Sequence, residues 1–345
     1  MDIIWVGWVS HNMSLISLGI ESSADKLGVG IVDSEGNILA NNVRTFKPEI
    51  GQGVIPREAA EHHANNVTKL IELGLNEANL KLIDIDFISY TQGSGMGPCL
   101  RVDAIAARTL ALKLNVPIVG VNHQIAHVEI GRLIGKMNDP IVLYVSGGNS
   151  QVIAFEGGRY RILGETLDIP VGNCLDVFGR EMKFDASRSP MGAVVEKKAK
   201  LSDKYIDLPY VVKGMDFSFS GILTSALEIA KNELYDINTI CNSLQETVFS
   251  MLTEVTERAL AHTKKNEVLV CGGVAANKRL KEMLKLMAEE HNVNFVGLPA
   301  ATAIDNGAMI AWLGQLMYKN GYQQKINDTK IIQNFRPETV NVFWR

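Results

Sequence analysis

His123 and His127 stand four residues apart in a segment that is otherwise apolar, with Ile125, Ala126, Val128, Ile130, Leu133 and Ile134 around them. On an α-helix this spacing projects both imidazoles from one face, where they can grip a single ion. Two polar rings among apolar neighbours also need a partner, because a buried polar group left alone costs free energy. A zinc peptidase would place a glutamate directly after the first histidine to activate water, and this chain has His123-Gln124, which disfavours that design. A mononuclear site needs a third ligand. Asp305, in the run Asp305-Asn306-Gly307-Ala308-Met309 at the start of a predicted helix, is the best candidate, and a helix N-cap is its competing role. Tyr144, ending a predicted strand, either offers its phenol to the same site or packs as a half-buried strand tyrosine.

A second chemistry is suggested by three β-type runs that each end in a small-residue turn. These are Gly19-Ile20-Glu21-Ser22-Ser23, Ser146-Gly147-Gly148-Asn149 and Gly272-Gly273-Val274-Ala275-Ala276-Asn277. Glycine lets backbone N–H groups approach phosphate oxygens where a Cβ would collide. Several such turns facing one cleft suggest a nucleotide cradle built from distant segments, whereas any single one merely closes a hairpin.

The elements that must carry these residues read as two successive halves. Runs at 15–20, 27–32 and 38–46, separated by turn signals, predict an antiparallel meander. A helix over 56–75, a strand at 87–91, a helix over 101–114, a strand at 118–121 and a helix capped by Asn122 follow. The pattern then restarts with strands at 141–145, 151–155 and 160–165, helices near 174–183 and 220–231, and a long amphipathic helix presenting Leu244, Val248, Leu252, Val255 and Ala259. A strand at 268–271, a helix over 277–291, a short strand at 295–297 and a last helix over 305–318 complete it. This predicts an α/β chain of two lobes around a cleft. The expected divisions are an extension over 1–13, a first lobe over 14–138 and a second over 139–345. Residues 184–216 form an insertion or lid, and the C-terminal helix packs back on the first lobe. Weak packing is expected for Trp5 and Trp8 in the extension.

With 345 residues, 46% of them hydrophobic, the chain can bury a large core. A formal charge of −4 and a pI near 6.0 give no global pull toward nucleic acid, so such a substrate needs local patches or a basic partner. Lys278, Arg279, Lys281 and Lys285 form one basic cluster, which also reads as a solvated helix face. Cys99, Cys174, Cys241 and Cys271 form no CxxC pair and fit a reducing cytosol better than a zinc ribbon or disulfide framework. No run approaches bilayer-spanning length and no signal peptide opens the chain, which points to a cytoplasmic protein.

Taken in order, the three glycine turns, Asn122-His123-Gln124-Ile125-Ala126-His127, Tyr144-Val145-Ser146-Gly147-Gly148-Asn149, Gly172-Asn173-Cys174-Leu175-Asp176, Lys213-Gly214-Met215-Asp216, Phe219-Ser220-Gly221 and Asp305-Asn306-Gly307 resemble the universal tRNA threonylcarbamoyltransferase family. The likeness is to its archaeal and eukaryotic form, the catalytic subunit of the KEOPS complex, and covers roughly residues 15 to 345. The resemblance implies a duplicated actin-like, Hsp70-like ATPase (ASKHA) fold around a nucleotide cleft. It implies that His123, His127 and Asp305 hold iron or zinc with Tyr144 beside it, and that Tyr144, Val145, Ser146, Gly147, Gly148, Asp176, Gly192, Glu196 and Asn277 bind the adenylate. Asp176 and Glu196 suit ribose hydroxyls, since a carboxylate accepts both protons of a diol. Glu196 also reads as a solvated helix face.

The implied reaction moves a threonylcarbamoyl group from threonylcarbamoyl-AMP to the N6 amine of the adenosine just 3′ of the anticodon in tRNAs reading codons that begin with A (t6A synthesis). The implied partners are tRNA and the KEOPS subunits: a small protein kinase, a dimerising subunit and a kinase-binding subunit. With the sequence ending at Arg345, no fused kinase domain is expected. The chain departs from the family at Asp103, where a small residue is usual, at Pro190-Met191, where Pro-Gly is typical, and in Gly93-Ser94-Gly95-Met96-Gly97-Pro98. Two rival classes are an actin-like small-molecule phosphotransferase or ATPase and a non-catalytic nucleotide-binding scaffold.

Overall fold

The computed structural model describes residues 14–49, 52–185 and 190–345, so the expected extension with Trp5 and Trp8 lies outside the described residues. Alternating apolar residues form β1 (Ile16–Glu21), β2 (Lys26–Asp33) and β3 (Ile38–Thr45), paired as the antiparallel meander that their turns predict. Helix α1 (Pro56–Glu77) leads to β4 (Phe87–Gly93) and α2 (Gly97–Leu114) to β5 (Ile118–Asn122), both added in parallel, giving the order β3-β2-β1-β4-β5. Strand β4 is buried along its whole length, as parallel strands covered on both faces are. Helix α2 starts at Gly97, four residues before the predicted position, because Pro98 occupies its first turn, where proline's fixed φ suits a helix start.

After α3 (His123–Gly135) the chain builds β6 (Ile141–Val145), β7 (Ser150–Glu156) and β8 (Arg159–Glu165), again an antiparallel meander. The helices α4 (Val171–Glu181), α5 (Met191–Ala199), α6 (Ser220–Lys231) and α7 (Ile237–Thr263) follow, with a small ribbon of β9 (Val212–Lys213) and β10 (Asp216–Phe217) before α6. Strand β11 (Glu267–Cys271), α8 (Lys278–Glu290) and β12 (Asn294–Gly297) complete a sheet ordered β12-β11-β6-β7-β8. Read from β8, this is the topology of the first sheet: a meander extended from its first strand by two parallel strands in succession. The architecture is therefore duplicated. The stretch read as an insertion holds α5 and the ribbon. Among the described residues no helix is long and apolar enough to cross a membrane.

The short α9 (Ala300–Ala303) and α10 (Gly307–Lys319) are the last α-helices among the described residues. Helices α3 and α10 are the equivalent last helices of the two halves, and they pack against each other between the sheets. Helix α10 lies on β1 and β2, while α3 reaches β11, where a Cβ on Gly131 would stand 2.6 Å from Leu269 Cδ2. Contact of α10 with the first sheet is backbone on backbone: a Cβ on Gly30 would come within 2.1 Å of Ala308 N, and one on Gly307 within 2.0 Å of Gly30 N. This close seating carries the residues just before α10 to the end of α3.

Candidate metal and nucleotide site

Asn122 caps α3, its side chain accepting from Ile125 N at 3.0 Å, as its place before the apolar run predicts. His123 and His127 then fall on one face with ring centroids 4.8 Å apart. The cap of α10 is Asn306, whose Oδ1 accepts from Met309 N at 3.0 Å. That corrects the competing reading of Asp305 as N-cap and the helix start at 305: Asn306 satisfies the orphan amides, which frees the Asp305 carboxylate to turn toward α3. Asp305 Oδ1 lies 3.1 Å from His127 Nε2 and 3.4 Å from His123 Nε2. One ligand atom from each of the three residues falls within 4.8 Å of the others. Both histidines are buried, and Asp305 is 13% exposed.

Two imidazole nitrogens and a carboxylate oxygen so arranged form a donor set that suits a divalent zinc- or iron-type ion. Burial pushes His127 down further than Asp305 raises it, leaving a neutral imidazole, the form that ligates. Burial also lowers His123, yet Glu21 and Asp305 outweigh it and bring its pKa up to about 10, so an ion must displace a proton there. Asp305 is raised by burial, but Lys26, His123 and His127 together hold it well below the usual carboxylate range. Tyr144 is buried with its ring centroid 5.2 Å from that of His127, and burial together with the Asp305 charge pushes its phenol well up.

Two site residues went unassigned in the sequence reading, although both lie in or next to a quoted turn. Glu21 is fully buried and its Oε2 stands 3.1 Å from His123 Nδ1. Lys26 joins Asp25 at 3.0 Å to the free oxygen of Asp305, Oδ2, at 3.3 Å. Nothing in local spacing signals either pair, since the partners are 102 and 279 residues away in the chain.

The residues expected to bind the nucleotide lie at the end of β6 and the turn after it, on α4 and α5, and at the start of α8. Ser146 Oγ accepts from Gly148 N and Asn149 N at 3.2 and 3.0 Å, fixing the turn, and a Cβ on Gly147 or Gly148 would meet nothing within 4 Å. The turn's glycines therefore face open space with their backbone exposed. Gly272, at φ +92°, brings the third turn against Val145, where a Cβ would stand 2.3 Å from the carbonyl oxygen. Asp176 Oδ1 accepts from Gly192 N at 3.2 Å, joining α4 to α5. Glu196 accepts from Lys278 N at 3.2 Å and from Lys200 Nζ at 2.7 Å, joining α5 to α8. Asn277 caps α8 and donates to Gln245 Oε1 at 3.0 Å. Gln245, Lys278 and Lys200 border a cavity of about 600 Å³ between α5, α7 and α8. In the basic cluster, Arg279 pairs with Glu246 and Glu282, and Lys281 Nζ donates to the Leu298 carbonyl, so much of its charge is used locally, as a helix face would use it.

Behind Glu21 lies Asp103, fully buried, with Ser22 and the backbone of Ala104 and Thr91 as its nearest polar partners. Burial and the Glu21 charge push its pKa well up. The folded chain therefore keeps a proton that the unfolded chain releases, so this group's contribution to stability is complete at low pH. It is lost as pH rises from the ordinary carboxylate value toward the raised one. Asp103→Asn removes that dependence. Urea unfolding at pH 5 to 8 is expected to show the parent losing stability relative to the variant, with a slope of up to about 1.4 kcal/mol per pH unit.

A family model described as TsaD, tRNA N6-adenosine threonylcarbamoyltransferase, matches residues 37–312. The tRNA N6-adenosine threonylcarbamoyltransferase of Thermococcus kodakarensis is 53% identical over 96% of this chain and its own full length. A probable bifunctional tRNA threonylcarbamoyladenosine biosynthesis protein of Methanobrevibacter smithii is 57% identical over 96% of this chain, which spans 60% of that protein. The chain thus covers about three fifths of the length of such bifunctional relatives. Among solved structures, HypF of T. kodakarensis aligns with a TM-score of 0.61 at 13% identity, over 89% of this chain and 48% of its own. Component A of the Acidaminococcus fermentans (R)-2-hydroxyglutaryl-CoA dehydratase aligns with 0.54 at 16%, over 88% and 98%. At such identities they show the fold alone, and that fold is the actin-like one with two sheets of matching topology.

Proposed function

We propose, since the chain belongs to the tRNA N6-adenosine threonylcarbamoyltransferase family, that it transfers a threonylcarbamoyl group from threonylcarbamoyl-AMP to the N6 amine of the adenosine 3′ of the anticodon, making t6A. The observation that carries this reading is the meeting of His123 and His127 with Asp305, contributed by opposite halves of the chain, near a glycine turn that faces open space.

In the proposed reaction the N6–C bond forms as the bond from the acyl carbon to the phosphate oxygen breaks. AMP departs with the electron pair and its phosphate takes the N6 proton. An aryl amine is a weak nucleophile, so the donor must be held in line. A divalent ion, iron or zinc, held by His123, His127 and Asp305 with Tyr144 adjacent, supplies Lewis-acid polarisation of the acyl group when bound. The turn over 145–148 takes the phosphate, its open glycines allowing close approach of the backbone. Asp176 and Glu196 take the ribose hydroxyls, with Gly192 and Asn277 completing the adenylate contacts. The partition into lobes at residues 138 and 139 belongs to the same proposal.

The acidic balance of the chain and the locally paired basic cluster support a need for partners in reaching an anticodon loop. On this reading those are the KEOPS kinase, dimerising and kinase-binding subunits, in the cytoplasm. The test is to give the purified chain threonylcarbamoyl-AMP and tRNA, with and without those partners, and to measure t6A by mass spectrometry of the digested tRNA. Formation of t6A with release of AMP is the expected result. ATP turnover without tRNA would instead indicate a phosphotransferase, and adenylate binding without transfer under every condition would indicate a scaffold.

A further inference from the structure

The turn from Glu21 to Lys26, between β1 and β2, is pinned from several sides. Ser22 Oγ donates to the Cys99 carbonyl at 2.7 Å, Met96 N to the Ser23 carbonyl at 2.8 Å, and Phe46 N to the Asp25 carbonyl at 2.7 Å. His63 Nε2 sits 2.8 Å from the Ala24 carbonyl, so that ring's proton is on Nε2. A Cβ on Gly95 would stand 2.7 Å from the Ser23 oxygen, so the 93–97 loop is pressed against the turn. Four segments thus contact the six residues of this turn.

Glu21 stands at the start of this turn with both oxygens used. Oε1 accepts from Ser23 N at 2.7 Å, and Oε2 accepts from Thr91 Oγ1 and faces His123 Nδ1 at 3.1 Å. The Glu21 side chain is inaccessible to solvent, so it can act only on what it touches. A carboxylate accepting from Nδ1–H orients the ring and presents Nε2 outward, toward Asp305 Oδ1. His127 has no such support, for its Nδ1 is buried without a partner. Orientation of the imidazole pair therefore rests on one of its two members.

We infer that Glu21 is the positioning residue of the ion site, acting through His123 from a turn held by contacts with four other segments. It touches no reacting atom. The inference rests on the reading that the triad holds an ion, and the experiment separates the two. Zinc affinity of the purified parent chain, Glu21→Ala and Glu21→Gln is measured by competition with a chromophoric chelator, without adenylate or tRNA. Cobalt absorption reports ligand geometry, and circular dichroism reports folding of each chain. Loss of the carboxylate is expected to weaken zinc binding about 10- to 100-fold. The amide variant is expected to fall between, because its carbonyl still accepts from Nδ1–H while its NH2 opposes Ser23 N–H. If Glu21→Ala does not fold, the Glu21→Gln shift in affinity and cobalt spectrum decides alone. Parent-like affinity and spectrum in the folded variants would overturn the inference while leaving the ion site intact. A parent chain that binds no zinc or cobalt would overturn both.

Discussion

His123→Ala and His127→Ala are each expected to lower the rate of t6A formation by about 10²- to 10³-fold or more, the scale on which removing one preorganised electrostatic contact acts. Each variant should remain folded. The two rings sit at the end of α3 facing Asp305, and the apolar residues that seat the helix, Ile125, Ala126, Val128 and Ile130, are untouched. His127→Ala also removes a buried ring nitrogen that has no partner, which offsets part of the cavity it leaves. Steady-state transfer rates, read beside thermal unfolding of the same samples, check this. Near-parental transfer by both variants would rule out the imidazole pair as the centre of the chemistry.

Gly307→Val should act in the opposite order, on the fold first and the site as a consequence. Its Cβ would meet the backbone of Gly30 and Val29 at 2.0 to 2.5 Å, where no flexible side chain exists to give way. Helix α10 must then lift from β1 and β2, carrying away Asp305, two residues before the substitution. We expect a loss of at least about 3 kcal/mol of stability, or no folded protein, as measured by denaturant unfolding. Gly30→Val should match it from the facing strand. Gly273→Val is the control, since a Cβ there meets nothing within 4 Å, and its stability should stay near that of the parent.

Much of this architecture was legible because its signals are local. The meanders alternate and turn at Asp33, Gly36 and Asn37, and α3 announces itself through Asn122 followed by an apolar run. The start of α2 was not, because Gly97-Pro98 reads as a loop until the helix that uses Pro98 in its first turn is seen. At Asp305-Asn306 the sequence offers two capping residues in succession, and only tertiary placement assigns the cap to Asn306 and leaves Asp305 to the histidines. The supports of the site, Glu21 under His123 and Lys26 against Asp305, were invisible for a related reason. Their partners are brought close by the packing of α10 on the first sheet and α3 against α10, which no hydrophobic period encodes. The duplication, too, is carried by strand order and lacks a detectable repeat in the residues themselves.

Everything proposed for the chemistry depends on His123, His127 and Asp305 gripping one ion. X-ray absorption at the zinc edge, on the parent chain reloaded to one equivalent and on Asp305→Ala, tests it most directly. The expected result is two nitrogen scatterers of imidazole type with oxygen at about 2.0–2.2 Å in the parent, and loss of that signature with weakened retention of zinc in the variant. A parent spectrum without imidazole scattering, or one unchanged by Asp305→Ala, would contradict the account.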